Sequence, residues 1–173
     1  SAVRDAASKL RWTSLRFVNI GVQAEPPIRE HWAYFYDEKV PFARMTVFSN
    51  MSPSNAPEGH VAFQLEVPYM KDARGLFSPN MVEPCIAALA RCATKFDSKT
   101  VVQASEMDVK YGYVLFDHER QRCVDSIANY LQSIGIIPVG RFGEWKYLWS
   151  DQAVMSGKKA VCNILRAKAI LFP

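Results

Sequence analysis

Between Arg16 and Val67 the chain carries a series of strand-like segments with no helix-length pattern to separate them. In Arg16 to Val22, the apolar Val18, Ile20 and Val22 alternate with Phe17, Asn19 and Gly21, the signature of a strand with one buried face. Pro26-Pro27 ends it. The aromatic run Trp32 to Tyr36, a turn at Asp37-Glu38-Lys39 and a second run from Phe42 to Phe48 then read as a hairpin. Ser49 to Gly59, rich in Ser, Asn and Pro, reads as a loop. From His60 to Val67, Val61, Phe63, Leu65 and Val67 again alternate with His60, Ala62, Gln64 and Glu66. Parallel strands need a long crossover, and none separates these segments. The fold class that follows is α+β, a mainly antiparallel β-sheet covered by two or three helices.

The covering helices come from the flanks. Ser78-Pro79 reads as an N-cap followed by Pro at the first helical position, and Val82, Ile86, Leu89, Ala90 and Ala93 mark an apolar stripe to about Lys95. Val101 to Phe116 reads as a strand, and its apolar residues on both faces predict an inner position. Asp117 to Ile134 reads as a helix with Val124, Ile127, Ala128, Leu131 and Ile134 on one face and Gly135 as its stop. Ser1 to Leu15 can form a short opening helix, with Ala6, Ala7 and Leu10 at helical spacing. The plausible boundary is at Gly135, which divides the chain into 1–135 and 136–173.

With 49% hydrophobic and 22% charged residues, the composition is that of a soluble globular domain with one core. A formal charge of +4, spread along the chain, gives no nucleic-acid footprint. No apolar run approaches the roughly 20 residues that span a bilayer, and Ser1 to Arg16 lacks the apolar centre of a signal peptide. Cytoplasmic residence is the expectation. Cys85, Cys92, Cys123 and Cys162 lack zinc-type spacing and read as reduced, mostly buried thiols, with Cys85 and Cys92 two turns apart on one helix face. His31, His60 and His118 are widely separated, so no metal site is expected, and no Gly-x-Ser-x-Gly elbow occurs.

The chemistry concentrates near the C-terminus. Ile136 to Val139 reads as a strand, Gly140-Arg141-Phe142-Gly143 as a turn, and a helix starts at Ser150 or Asp151 and runs to about Lys168. Such an arrangement either is an ordinary strand, turn and surface helix, or holds an anionic cofactor. Glycines permit close backbone approach, Arg141 offers a planar fork to phosphate, and a helix start presents free N–H groups. Gly157 interrupts the apolar positions Val154, Val161, Ile164 and Leu165. A mid-helix Gly costs about 1 kcal/mol relative to Ala, so another backbone or a ligand is expected close by. Upstream, Trp32, Tyr34, Tyr36, Phe42, Arg44, Tyr111 and Tyr113 either line a pocket, with Arg44 pairing an anion, or fill the core.

Gly140-Arg141-Phe142-Gly143-Glu144-Trp145-Lys146-Tyr147, then Asp151 and Ser156-Gly157, resembles the C-terminal FAD-contacting segment of amine oxidase and protoporphyrinogen oxidase-type flavoproteins, a group that includes UDP-galactopyranose mutases. His31 to Asp37, Pro41 to Arg44, Ser49 to Pro53 and Ala56 to Gly59 resemble, in order, the substrate domain of the same group, so that the similarity runs from about Arg16 to about Leu165. The resemblance implies FAD as cofactor of the complete protein, with Gly140, Arg141, Phe142, Gly143, Trp145 and Asp151 contacting it. It implies a small-molecule substrate met by Trp32, Tyr34, Arg44, Tyr111 and Tyr113. Flavoproteins of this kind begin with a G-x-G-x-x-G turn, and Gly135, Gly140 and Gly143 do not have that spacing. The chain therefore reads as a fragment, inactive alone, whose partner is an N-terminal dinucleotide-binding half. A second copy of the chain can also cover an exposed face of the last helix. The alternative is a non-catalytic binding or interaction domain that has lost flavin.

Overall fold

The computed structural model describes residues 2–70, 80–93 and 96–171, with side chains to 166. Its fold is α+β around a mainly antiparallel sheet, and the chain divides into two compact units, 13–112 and 1–12 with 113–173.

In the unit 13–112, the two-residue alternation has built the sheet. Strands β1 (Trp12–Val22), β2 (Trp32–Tyr34), β3 (Arg44–Val47), β4 (Val61–Met70) and β5 (Val101–Val114) lie in the order β2-β3-β4-β1-β5. β1 pairs antiparallel with β4, so that Val18, Ile20 and Val22 stand opposite Leu65, Phe63 and Val61. All six are buried, joined by Met45 and Val47 of β3. Helix α3 (Val82–Cys92) closes this face with Cys85, Ala88 and Leu89, and Phe42, Val67, Met81, Ala93 and Phe96 complete the cluster. Ala90 is exposed, so the buried stripe of α3 runs through Cys85 and Ala88. The Ser78-Pro79 cap lies outside the described residues.

The expected hairpin forms between β2 and β3, and its turn is closed by the Val40 N–H donating to the Asp37 carbonyl at 2.9 Å. Two short helical pieces, α2 (Phe48–Met51) and the 3₁₀ turn Pro53–Asn55, occupy part of the expected loop. β1 begins at Trp12, which shortens the opening helix to α1 (Ala2–Lys9).

β5 departs from its expected position. It is an edge strand and mostly exposed, with Val102, Met107 and Tyr111 open to solvent. Charges mark the edge, as natural edges require: Glu106 accepts from the Met81 N–H at 2.9 Å and Asp108 from the Tyr69 hydroxyl at 2.7 Å. Gly112 is needed there, because a Cβ would stand 2.5 Å from Leu15 Cγ and 3.0 Å from the Thr13 carbonyl oxygen.

In the other unit, α1 packs on α4 (Arg120–Ser133), and α5 (Gly140–Gly143) packs on α6 (Ser150–Leu171). Gly135 stops α4 as expected. At φ 76° it lets its own N–H reach the Gln132 carbonyl and the Ile136 N–H the Leu131 carbonyl, a Schellman closure. The expected strand at 136–139 does not form, and Gly140 to Gly143 make one helical turn. Cys85 and Cys123 are buried whereas Cys92 and Cys162 are exposed, a correction to the expectation of mostly buried thiols.

Candidate functional site

Arg141 leaves α5 and turns its guanidinium onto the loop that follows. Its Nε and Nη2 donate to the Leu148 carbonyl oxygen at 2.9 and 2.6 Å. The same group lies over the Tyr147 ring at 4.7 Å and the Tyr113 ring at 5.8 Å, and the two rings are stacked with centroids 6.1 Å apart. A cation within about 6 Å of an aromatic face is attracted by the ring quadrupole. None of these partners is a carboxylate, so the charge of Arg141 is not neutralised by an ion pair among the described residues.

The loop is fixed on its other side by Arg120, at the start of α4. This side chain is 8% exposed, and its Nε and Nη2 both donate to the Trp145 carbonyl oxygen, the first at 2.9 Å. Trp145 has φ 50°, the one non-glycine residue in the left-handed region among those described. Its ring stands edge-on to Trp12 and to Phe142.

Glu144 ties the loop to α6. It accepts from the Lys146 Nζ at 2.8 Å and from the Ser156 hydroxyl, while the Ser156 oxygen accepts from the Gly140 N–H at 3.0 Å. Lys146 and then Ser156 hold the Glu144 carboxyl below its ordinary value of 4.5. At the start of α6, Gln152 reaches back to the Trp149 N–H at 2.8 Å, half of a capping box, and Asp151 is exposed in the first turn. A Cβ at Gly157 would meet nothing within 4 Å, so the expected close neighbour is not in the described chain.

Phe142, Gly143 and Trp145 line a cavity of about 730 Å³ together with Val124, Ile127, Ala128 and Leu131 of α4. The apolar face of α4 is therefore half-buried and opens onto this space. Of the residues expected at a cofactor, Gly140, Arg141, Phe142, Gly143 and Trp145 lie in or beside the loop, and Asp151 lies at the helix start that follows.

The expected substrate residues are not gathered in one place. Trp32 and Tyr34 are 49% and 56% exposed on β2, and Tyr34 stands opposite Arg44 in register. Arg44 in turn stands opposite Glu66, 5% exposed, and forms an ion pair with it. These three share the sheet face turned away from Met45 and Leu65. Tyr111 is on β5, at the opposite edge of the sheet from β2, with the Lys110 Nζ 4.9 Å above its ring. Tyr113 belongs with Arg141 and Tyr147. Sequence reasoning did not single out Arg120 or Glu66. Glu66 follows only from the β3–β4 register, and a backbone carbonyl 25 residues away gives Arg120 no signature.

Among the described residues no helix is long and apolar enough to cross a membrane, and no group of three or more His, Cys, Asp or Glu could hold a metal. No family model matches the chain. Among solved structures it is similar to a reduced UDP-galactopyranose mutase, with TM-score 0.86 and 29% identity over 94% of this chain and 35% of that one. It is similar also to a protoporphyrinogen oxidase-like protein from Exiguobacterium sp. 255-15, with TM-score 0.64 and 11% identity over 91% of this chain and 35% of that one. At that identity the second likeness concerns the fold. The chain spans about a third of the length of either neighbour, and over nearly its whole length it resembles that part of a UDP-galactopyranose mutase, the relationship that its motifs imply.

Proposed function

We propose that this chain shapes the substrate pocket and supplies the flavin-side contacts of an FAD-dependent mutase or oxidoreductase, with 1–135 as the substrate-binding part and 136–173 as the flavin-contacting segment. The observation that carries the reading is the similarity to a UDP-galactopyranose mutase along 94% of the chain. It favours a nucleoside diphosphate sugar over a neutral or amine substrate.

The residues fit a bound flavin nucleotide. The first hydrogen bond at the start of α6 runs from Ala153 to Trp149, so the N–H groups of Ser150, Asp151 and Gln152 have no acceptor within the helix. Asp151 offers a carboxylate to a hydroxyl, and Gly157 leaves room for a close approach. The flavin, when bound, supplies the redox or covalent chemistry. The chain's own residues orient and balance charge. Arg44 spends its charge on Glu66, whereas Arg141 donates to a neutral carbonyl and keeps its charge for a phosphate. Tyr113 and Tyr147 hold the guanidinium plane and offer stacking surface.

In this reading the isolated chain is inactive and binds FAD weakly. The test is FAD binding by the protein expressed from its complete reading frame. Arg141→Ala with Asp151→Ala is expected to abolish or strongly weaken it, and retention of FAD by that double variant at unchanged affinity would remove both residues from the site.

A further inference from the structure

We infer that Arg120 is a positioning residue that sets Arg141 and Tyr147 for a diphosphate, an inference that rests on reading Arg141 as the anion contact. A buried guanidinium ordinarily needs an ion pair, because leaving a charge uncompensated in the interior is costly. The partners of the Arg120 guanidinium are the Trp145 carbonyl, the Gln121 side chain at 3.1 Å and the Phe116 ring at 4.3 Å, all of them neutral, while the Asp117 carboxylate accepts from the Arg120 backbone N–H at 2.8 Å. Nothing in ordinary core packing calls for such a group.

What Arg120 holds is also costly. Trp145 takes a left-handed backbone, and its indole N–H is buried without an acceptor among the described residues. Each departure disfavours the loop, and such costs persist where the surroundings over-determine a conformation. The over-determination is visible. Arg120 grips the carbonyl of Trp145 from α4, Arg141 grips that of Leu148 from α5, and Tyr147 lies between the two grips. Releasing the first frees Trp145 to relax, and Tyr147 then leaves the Arg141 plane. A lysine at 120 keeps the positive charge but not the two-pronged geometry.

The experiment is calorimetric titration of the protein expressed from its complete reading frame with pyrophosphate. Four forms are compared: the unaltered sequence, Arg141→Ala, Arg120→Lys and Arg120→Gln, each checked for folding by thermal melting. Arg141→Ala is expected to abolish binding, and Arg120→Lys to weaken it on the order of tenfold although its charge is kept. Where Arg120→Lys does not fold, Arg120→Gln is titrated with and without methylguanidinium, which is expected to restore affinity. Wild-type affinity in folded Arg120→Lys, or no recovery in folded Arg120→Gln, overturns the positioning role and leaves Arg141 in place. An unaltered complete protein that does not bind pyrophosphate, or Arg141→Ala that binds it equally, overturns the anion reading and the inference with it. Competition by UDP or by FAD identifies which diphosphate the site takes.

Discussion

Arg44 on β3 stands directly across from Glu66 on β4, and the two close an ion pair whose carboxylate end is buried. The pair is the middle of a row that runs across four strands through Tyr34, Arg44, Glu66 and Phe17. Arg44 is thereby oriented toward its neighbour strand, and an anionic substrate reaching it would compete with Glu66.

Removing Arg44 takes a guanidinium away from a buried carboxylate. Arg44→Met is expected to destabilise the chain by about 2–3 kcal/mol in urea unfolding at neutral pH, less than for a fully buried pair because the Arg is partly exposed. Arg44→Met with Glu66→Leu is expected to recover most of that loss. Equal losses in the single and double variants would show that the two residues do not act as a pair.

Glu144 gives the protein an acid-sensitive contact in the site loop. Its carboxyl is held below 4.5 by Lys146 first and Ser156 second, so the stabilisation is present above the unfolded value and is lost as pH falls through the lowered folded one. Melting temperatures of the unaltered chain and Glu144→Gln are expected to differ at pH 7 and to converge only below pH 4.5. A difference that is unchanged down to pH 3 contradicts this origin.

The four thiols are expected to fall into two pairs. Burial, reinforced by Glu106, pushes the Cys85 thiol up to about 12, and Cys123 is buried, whereas Cys92 and Cys162 are exposed. Mass-spectrometric mapping after brief alkylation at pH 7.5 should find the label on Cys92 and Cys162, and on all four residues after unfolding. Rapid labelling of native Cys85 would mean that α3 opens more readily than its packing implies.

Two glycines give opposite expectations. Gly112→Ala drives a Cβ into Leu15 and should destabilise the chain by about 1–3 kcal/mol. Gly157→Ala meets open space in a helix and should stabilise it by about 1 kcal/mol. The functional expectation for Gly157 is that FAD binding by the complete protein falls in the same variant that melts higher. Stability and binding rising together would deny a ligand close to that backbone.

The sheet was legible where one face is buried and the period is two. Val18, Ile20 and Val22, and Val61, Phe63, Leu65 and Val67, announce β1 and β4 and the face that each buries. Gly135 announced the end of α4 because a left-handed closure favours that residue. The edge position of β5 was not legible, since residue types at 101–116 report apolarity but not strand order, which depends on pairing with β1. The expected strand at 136–139 failed because the Schellman closure hands the Ile136 N–H back to α4. Within the site, the motif located Arg141 and its loop. The grip of Arg120 on Trp145 was invisible, because any carbonyl can accept such a fork and only the folded chain selects one.

The most direct measurement is the visible absorbance of the protein expressed from its complete reading frame, before and after added FAD. A bound flavin spectrum that releases FAD on denaturation, and that Arg141→Ala with Asp151→Ala removes, is the expected result. A protein that stays colourless with excess FAD contradicts the flavoprotein reading and leaves this domain a binding module.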